Sequence, residues 1–208
     1  MYLTKTPWWI KFLYPSLTWN KNTSGKPVIY LTFDDGPIPE VTPFVLTELK
    51  KVNAKATFFC IGDNVRKYAT IYEQIIADGH SVGSHTFNHL NGWKTQNDHY
   101  LENIIKSKSL IRSDLFRPPY GRIKSSQIHL IKKHLPNLQI VMWDVLSGDF
   151  DQKCTPKQCY HNIINNVQHG SIVVFHDSLK AFKRLEYALP QSLNALSKLG
   201  YHFEALNY

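Results

Sequence analysis

Cysteine is scarce: three in 208 residues, too few for a disulfide-built scaffold. Cys60 sits inside the apolar run Thr57–Ile61 and reads as a buried free thiol. Cys154 and Cys159 are five residues apart, without the neighbouring His or Cys of a zinc site. They are two thiols or one local disulfide. No window comes near the ~18 apolar residues of a membrane span. The opening Met1–Pro15 is interrupted by Pro7, Lys11 and Pro15, short of the ~7–15-residue apolar core of a secretory signal. On sequence alone the expected compartment is therefore the cytoplasm. Internal repeats, low-complexity tracts and dividing linkers are absent as well, which leaves one domain. Acidic residues are few, 16 against 24 Lys and Arg, for a formal net charge of +8.

That charge is unevenly spread. Residues 1–33 carry Lys5, Lys11, Lys21 and Lys26 and no acid, and residues 106–133 carry eight basic side chains against one acid. Residues 34–105, where the polar motifs described below begin, are net acidic, and 134–208 are balanced. Neither basic segment is a dense Lys/Arg run, so the map argues against a nucleic-acid partner. With 43% hydrophobic and 13% aromatic residues, the chain has ample material for a core.

Val28–Phe33 is β-branched and aromatic and is stopped by Asp34-Asp35-Gly36-Pro37, a strand running into a turn. A helical pattern follows at 41–51, and the alternation continues: strand 56–60, helix 69–78, strand 81–84, helix 97–112, strand 115–116, helix 124–134, strand 138–143, helix 156–167, strand 171–175, helix 180–198, strand 201–205. Strands alternating with helices predict parallel βαβ units, and seven of them favour a barrel with its chemistry at the C-terminal strand ends. Residues 1–27 stand outside this rhythm as an aromatic-rich strap packed on a 28–208 barrel domain. Trp8, Trp9 and Trp19 are expected to anchor it by packing.

Ionisable residues gather at five strand ends: Asp34-Asp35, His85 and His89, Arg117, Asp144 and Asp149, and His176-Asp177. His85 and His89, at i and i+4, can point the same way on a helical turn. A carboxylate from another loop then completes a His₂-Asp set with an open position, the pattern of a catalytic metal centre suited to zinc, cobalt, iron or nickel. Asp34 is free to serve as base, and His176, placed across the mouth, can give a proton to a leaving group. Trp93 follows His89 on the same loop and is a candidate substrate wall. His80, at the start of a strand, reads as structural.

Thr32-Phe33-Asp34-Asp35-Gly36, His85-Thr86-Phe87-Asn88-His89, Arg117-Pro118-Pro119-Tyr120, Asp149-Phe150 and Val173-Val174-Phe175-His176 occur in that order. They resemble the five motifs of the polysaccharide deacetylases with a NodB homology domain, carbohydrate esterase family 4. The resemblance implies an α/β fold, a distorted (β/α)7 barrel in a single domain, that removes acetyl groups from N-acetylated sugars of peptidoglycan- or chitin-type glycans. It implies one divalent metal, most simply zinc, on Asp35, His85 and His89, with Asp34 as base, oriented by Arg117. It also implies an oxyanion contact from the backbone N–H of Tyr120, worth about 3–4 kcal/mol, and His176 as acid, held by Asp149. Phe150 and Val174 would line the acetyl pocket. The family's fourth motif usually reads Asp-Trp, so Phe150 keeps an apolar wall while losing an indole. Two other readings fit the same residues: a hydrolase of a small intracellular N-acyl or cyclic amide, and a glycan-binding protein without turnover. The chain is expected to be a monomer.

Overall fold

The computed structural model describes residues 2–21, 25 and 27–207. Lys26, one of the four lysines of the strap, lies outside them. The elements in order are α1 Trp8–Leu13, β1 Val28–Asp34, α2 Thr42–Lys51, β2 Ala56–Cys60, α3 Gly62–Lys67, α4 Ala69–Ala77, β3 Ser81–Ser84, α5 Asn97–Lys108, β4 Leu115–Phe116, α6 Ser125–His134, β5 Gln139–Ile140, β6 Val145–Leu146, α7 Pro156–Ile164, β7 Ile172–His176, α8 Leu179–Lys198 and β8 His202–Phe203.

All the strand pairings are parallel, in the order β5-β4-β3-β2-β1-β7-β6, with β8 paired to the start of β1. β1 and β2 are buried along their whole length. That matches their continuous apolar and β-branched sequences, since a parallel sheet is covered on both faces. Helices supply the cover: the apolar face of α8, with Leu185, Leu189, Leu193 and Leu196, packs into one core cluster with Ile29, Leu31 and Phe33 of β1.

The sheet curls into a half-barrel that does not close. β5 and β6 are consecutive in the chain yet lie at its two edges. The predicted strand 138–143 is broken here, and β6, which no periodicity announces, begins after it. The N-terminal strap crosses this seam. Thr18 bridges Val141, donating its N–H to Ile140 O and accepting from Met142 N–H. On the other edge Lys5 bridges Val145, while Thr4 O accepts from Leu146 N–H. The strap thereby satisfies backbone groups that two open edges would otherwise leave without partners.

Strap and barrel are locked by one carboxylate. Asp144, its side chain fully buried, accepts from Lys5 Nζ at 2.6 Å, Lys11 Nζ at 2.5 Å and Ser171 Oγ at 2.5 Å. It is therefore a structural tie, not a member of the strand-end cluster in which the sequence places it. Trp19 packs as expected, buried and donating Nε1 to Tyr14 O. Trp8 and Trp9 do not: they are 77% and 49% exposed. The three cysteines are free thiols, and Cys154 Sγ and Cys159 Sγ lie 3.5 Å apart. His80 is structural, accepting from Ala56 N–H, and burial is the main reason its pKa falls to about 4.

Candidate active site

Register explains how residues far apart in sequence meet. Pairing of β1 with β7 sets Asp34 level with His176, and pairing of β3 with β4 sets Ser84 level with Phe116, so that His85 and Arg117 leave their strands together. His176 consequently stands beside Asp34 on the neighbouring strand, not across the mouth. The strand ends open into a cavity of about 500 Å³ whose lining includes Asp34, Asp35, His85, His89, Tyr120, Phe150, Val174 and His176.

Arg117 is completely buried and organises one wall. Its Nη1 donates to Asp34 Oδ1 at 2.7 Å and to Thr32 Oγ1 at 2.7 Å; Nε and Nη2 donate to the carbonyls of Val141 and Met142. The guanidinium lies over the Phe59 ring, 4.1 Å from its centroid. Every contact fixes the fork, and the fork fixes Asp34.

Next to it, Asp35 adopts a left-handed backbone, φ 85°, held by Asn64 Nδ2 donating to its carbonyl. The carboxylate turns toward two imidazoles: Oδ1 is 3.1 Å from His89 Nε2 and 3.8 Å from His85 Nε2. This buried oxygen completes no hydrogen bond. Burial opposes its charge, yet the surrounding histidines hold the carboxyl well below the usual range. His85 Nδ1 meets the Arg117 carbonyl at 2.8 Å. An N–H there leaves the Nε2 lone pair facing Asp35. Burial lowers the pKa of His85 to about 4, so the ring is neutral at pH 7. One donor atom each from Asp35, His85 and His89 lies within 4.8 Å of the others. An orphaned buried oxygen with two Nε2 atoms is a donor set that fits a divalent cation.

The loop that presents His85 and His89 is not the helical turn expected from their spacing. Thr86 and His89 both have positive φ, 61° and 58°, and the segment is irregular. Asn103 of α5 braces it, accepting from the N–H groups of Phe87 and Asn88 and donating to Asn88 Oδ1.

His176 has a different partner. Its Nδ1 lies 2.8 Å from Asp149 Oδ1, and its own N–H donates to Asp149 Oδ2. Burial disfavours the imidazolium, but the Asp149 carboxylate outweighs this and raises the pKa to about 9. Asp149 is in turn pinned by Arg184 of α8, whose Nε donates to its carbonyl. Behind the loop, buried Asp177 accepts from Gly36 N–H and from the Thr42 hydroxyl. A Cβ on Gly36 would lie 2.0 Å from Asp177 Oδ2, so the turn has no room for a side chain.

Phe150 packs edge-on against His176, with ring centroids 5.2 Å apart, and Val174 lines the cavity floor. Tyr120 has φ 61°, is 60% exposed, and lays its ring against His89. Trp93 does not line this cavity. It donates Nε1 to Ile123 O and lines a separate apolar cavity of about 330 Å³ between strap and barrel. The aromatic walls that sequence reasoning missed are Tyr2, its ring tilted against that of Phe150 with centroids 4.8 Å apart, and Trp143. Asn64, Asn103 and Arg184 also went unread, and Thr32 stood in its motif without a role. Each is an ordinary polar residue until the fold brings it to its partner.

As a class, this is a barrel-type hydrolase with its polar groups at the strand ends. The chain belongs to the polysaccharide deacetylase family, whose model matches residues 6–135, more than half of its length. It is 32% identical over 194 residues to a peptidoglycan-N-acetylglucosamine deacetylase of Bacillus cereus, covering 90% of this chain and 89% of that protein. A second B. cereus protein of the same description is 35% identical over 160 residues; the match covers 74% of this chain and only 57% of that longer protein. A crystal structure of the Bc1960 peptidoglycan N-acetylglucosamine deacetylase, bound to an N-hydroxybenzamide, superposes with a TM-score of 0.86. It is 30% identical, with 97% of this chain and 95% of that one covered.

Proposed function

We propose that the chain is a metal-dependent deacetylase that hydrolyses the acetamide of N-acetylated sugars in peptidoglycan- or chitin-type glycans, releasing acetate. The observation that carries this reading is an arginine-held carboxylate, a carboxylate-held imidazole and a His₂-Asp donor set facing one cavity. The names of its relatives, deacetylases of peptidoglycan N-acetylglucosamine and, in Azorhizobium caulinodans, of chitooligosaccharide, support the substrate class.

Zinc suits two imidazoles and a carboxylate; held by Asp35, His85 and His89 it would polarise the amide carbonyl and make water more acidic. Asp34, aligned by Arg117, takes a proton from the attacking water. The backbone N–H of Tyr120 donates to the oxygen on which negative charge develops. His176 has Nδ1 committed to Asp149 and delivers its proton from Nε2 to the departing amine as the C–N bond breaks. Phe150 and Val174 receive the acetyl methyl, and Arg122 and Lys180 at the cavity wall meet the glycan.

Acetate release from N-acetylglucosamine oligomers is the test. Release is expected to stop with a chelator and return with zinc or cobalt. No release, or release indifferent to chelation, contradicts the reading.

A further inference from the structure

Among the described residues, six of the fourteen exposed large apolar side chains fall in the first fourteen positions: Leu3, Trp8, Trp9, Phe12, Leu13 and Tyr14. Trp8 and Phe12 are each 77% exposed and Leu13 62%. These side chains are displayed on a fixed support. Lys5, ahead of α1, and Lys11, within it, are tied to buried Asp144, and Thr18 is stitched to Val141. Scattered single apolar residues on a surface mean little; this many on one short helix and its flanks mark a contact face.

Charge shows what the face meets. The strap sequence through residue 33 holds no acid. Beneath it, Ile10, Leu17 and Trp19 share a core cluster with Ile123, Ile128 and Ile131. Those isoleucines belong to the stretch 115–143, which also has no acid and exposes Arg122, Lys132 and Lys133. The fold thus packs the acid-free strap on an acid-free stretch, and with Lys5 and Lys11 committed to Asp144 the free positive charge there is that of the second stretch. Tryptophan, phenylalanine and leucine exposed on a short helix, over a stretch with exposed lysine and arginine and no acid, match the boundary between the headgroups and acyl chains of an anionic bilayer. The outward residues of α1, Trp8, Trp9, Phe12 and Leu13, carry few of the polar groups that a sugar needs.

We propose that α1 and its flanks dock this protein on the surface of an anionic lipid bilayer, with Trp8, Phe12 and Leu13 in the interface and the neighbouring basic side chains facing the headgroups. The same strap lines the catalytic cavity through Tyr2.

Sedimentation of the full chain with phosphatidylglycerol-containing vesicles and with pure phosphatidylcholine vesicles tests this. The chain is expected to pellet with the anionic vesicles and to be released by high salt. The triple variant Trp8→Ser, Phe12→Ser, Leu13→Ser is expected to lose at least about tenfold in partitioning. Its melting temperature and its turnover of a soluble substrate should be unchanged. Lys132→Glu with Lys133→Glu should weaken binding several-fold, on anionic vesicles alone. Failure to pellet with anionic vesicles, or pelleting that the triple variant leaves intact, overturns the proposal. So does a dimer of the parent chain in sedimentation velocity that the triple variant abolishes.

Discussion

His85, buried just past β3, and His176, half-buried at the end of β7, face one cavity from the same side of the sheet, and the protein sets them to opposite states. At His85 the outer nitrogen meets a backbone carbonyl, a neutral acceptor, and burial keeps the ring uncharged with its Nε2 lone pair aimed at Asp35. At His176 the outer nitrogen meets a carboxylate, and the ring holds its second proton up to about pH 9. One histidine is prepared to give an electron pair and the other to give a proton. The difference lies in a single acceptor behind each ring.

That contrast can be broken from either side. The largest effect is expected from His85→Ala, which removes one of the three proposed donors: the divalent metal that elemental analysis finds in the parent chain should be lost, and turnover with it. Asp34→Asn should retain the metal but reduce acetate release by about 10²–10⁴-fold, because on the proposed reading it removes the base without touching the donor set. Asp149→Asn should leave metal content intact while weakening the proton donor. A raised pKa means that His176 carries its proton below about 9 and loses it above. With His176 as the proposed acid, the basic limb of the pH–rate profile is expected to follow it and to move to lower pH in Asp149→Asn; an unmoved limb removes His176 from the role of acid.

The smallest effect concerns the frame and not the chemistry. Asp144→Asn should lower stability by about 1–3 kcal/mol in thermal melts, since it uncouples the strap lysines from the barrel. Burial opposes the charge of Asp144, but Lys11, Lys5 and Ser171 hold its pKa below the ordinary value. A carboxylate depressed in the folded state stabilises above its unfolded pKa, and this contribution is lost as pH falls through the folded one. The stability gap between parent and variant should accordingly shrink in acid.

Much of this was legible in one dimension. The parallel alternation, the strand-end motifs and the identities of Asp34, Asp35, His85, His89, Arg117, Asp149 and His176 can all be read along the chain, because a strand followed by a turn carries its polar residue to the cavity. What could not be read depends on partners far apart in sequence. Nothing local says that Asn103 braces the loop of His85 and His89, or that Arg184 pins Asp149. The open seam is another case: two-residue β5 and β6 carry too little periodicity to announce themselves, and only the fold shows that the strap spans them. The i, i+4 spacing of His85 and His89 suggested a helical turn, whereas two left-handed residues bring the rings together. Trp8 and Trp9 read as packing residues because aromatic content does not reveal which side of a short helix faces the core.

Nitrogen NMR of the metal-free chain with labelled imidazoles tests the central claim most directly. At neutral pH, His176 should be doubly protonated, with its Nδ1–H in a strong hydrogen bond, while His85 is neutral and protonated only at Nδ1. Two rings with the same protonation state, or a neutral His176, would contradict the account.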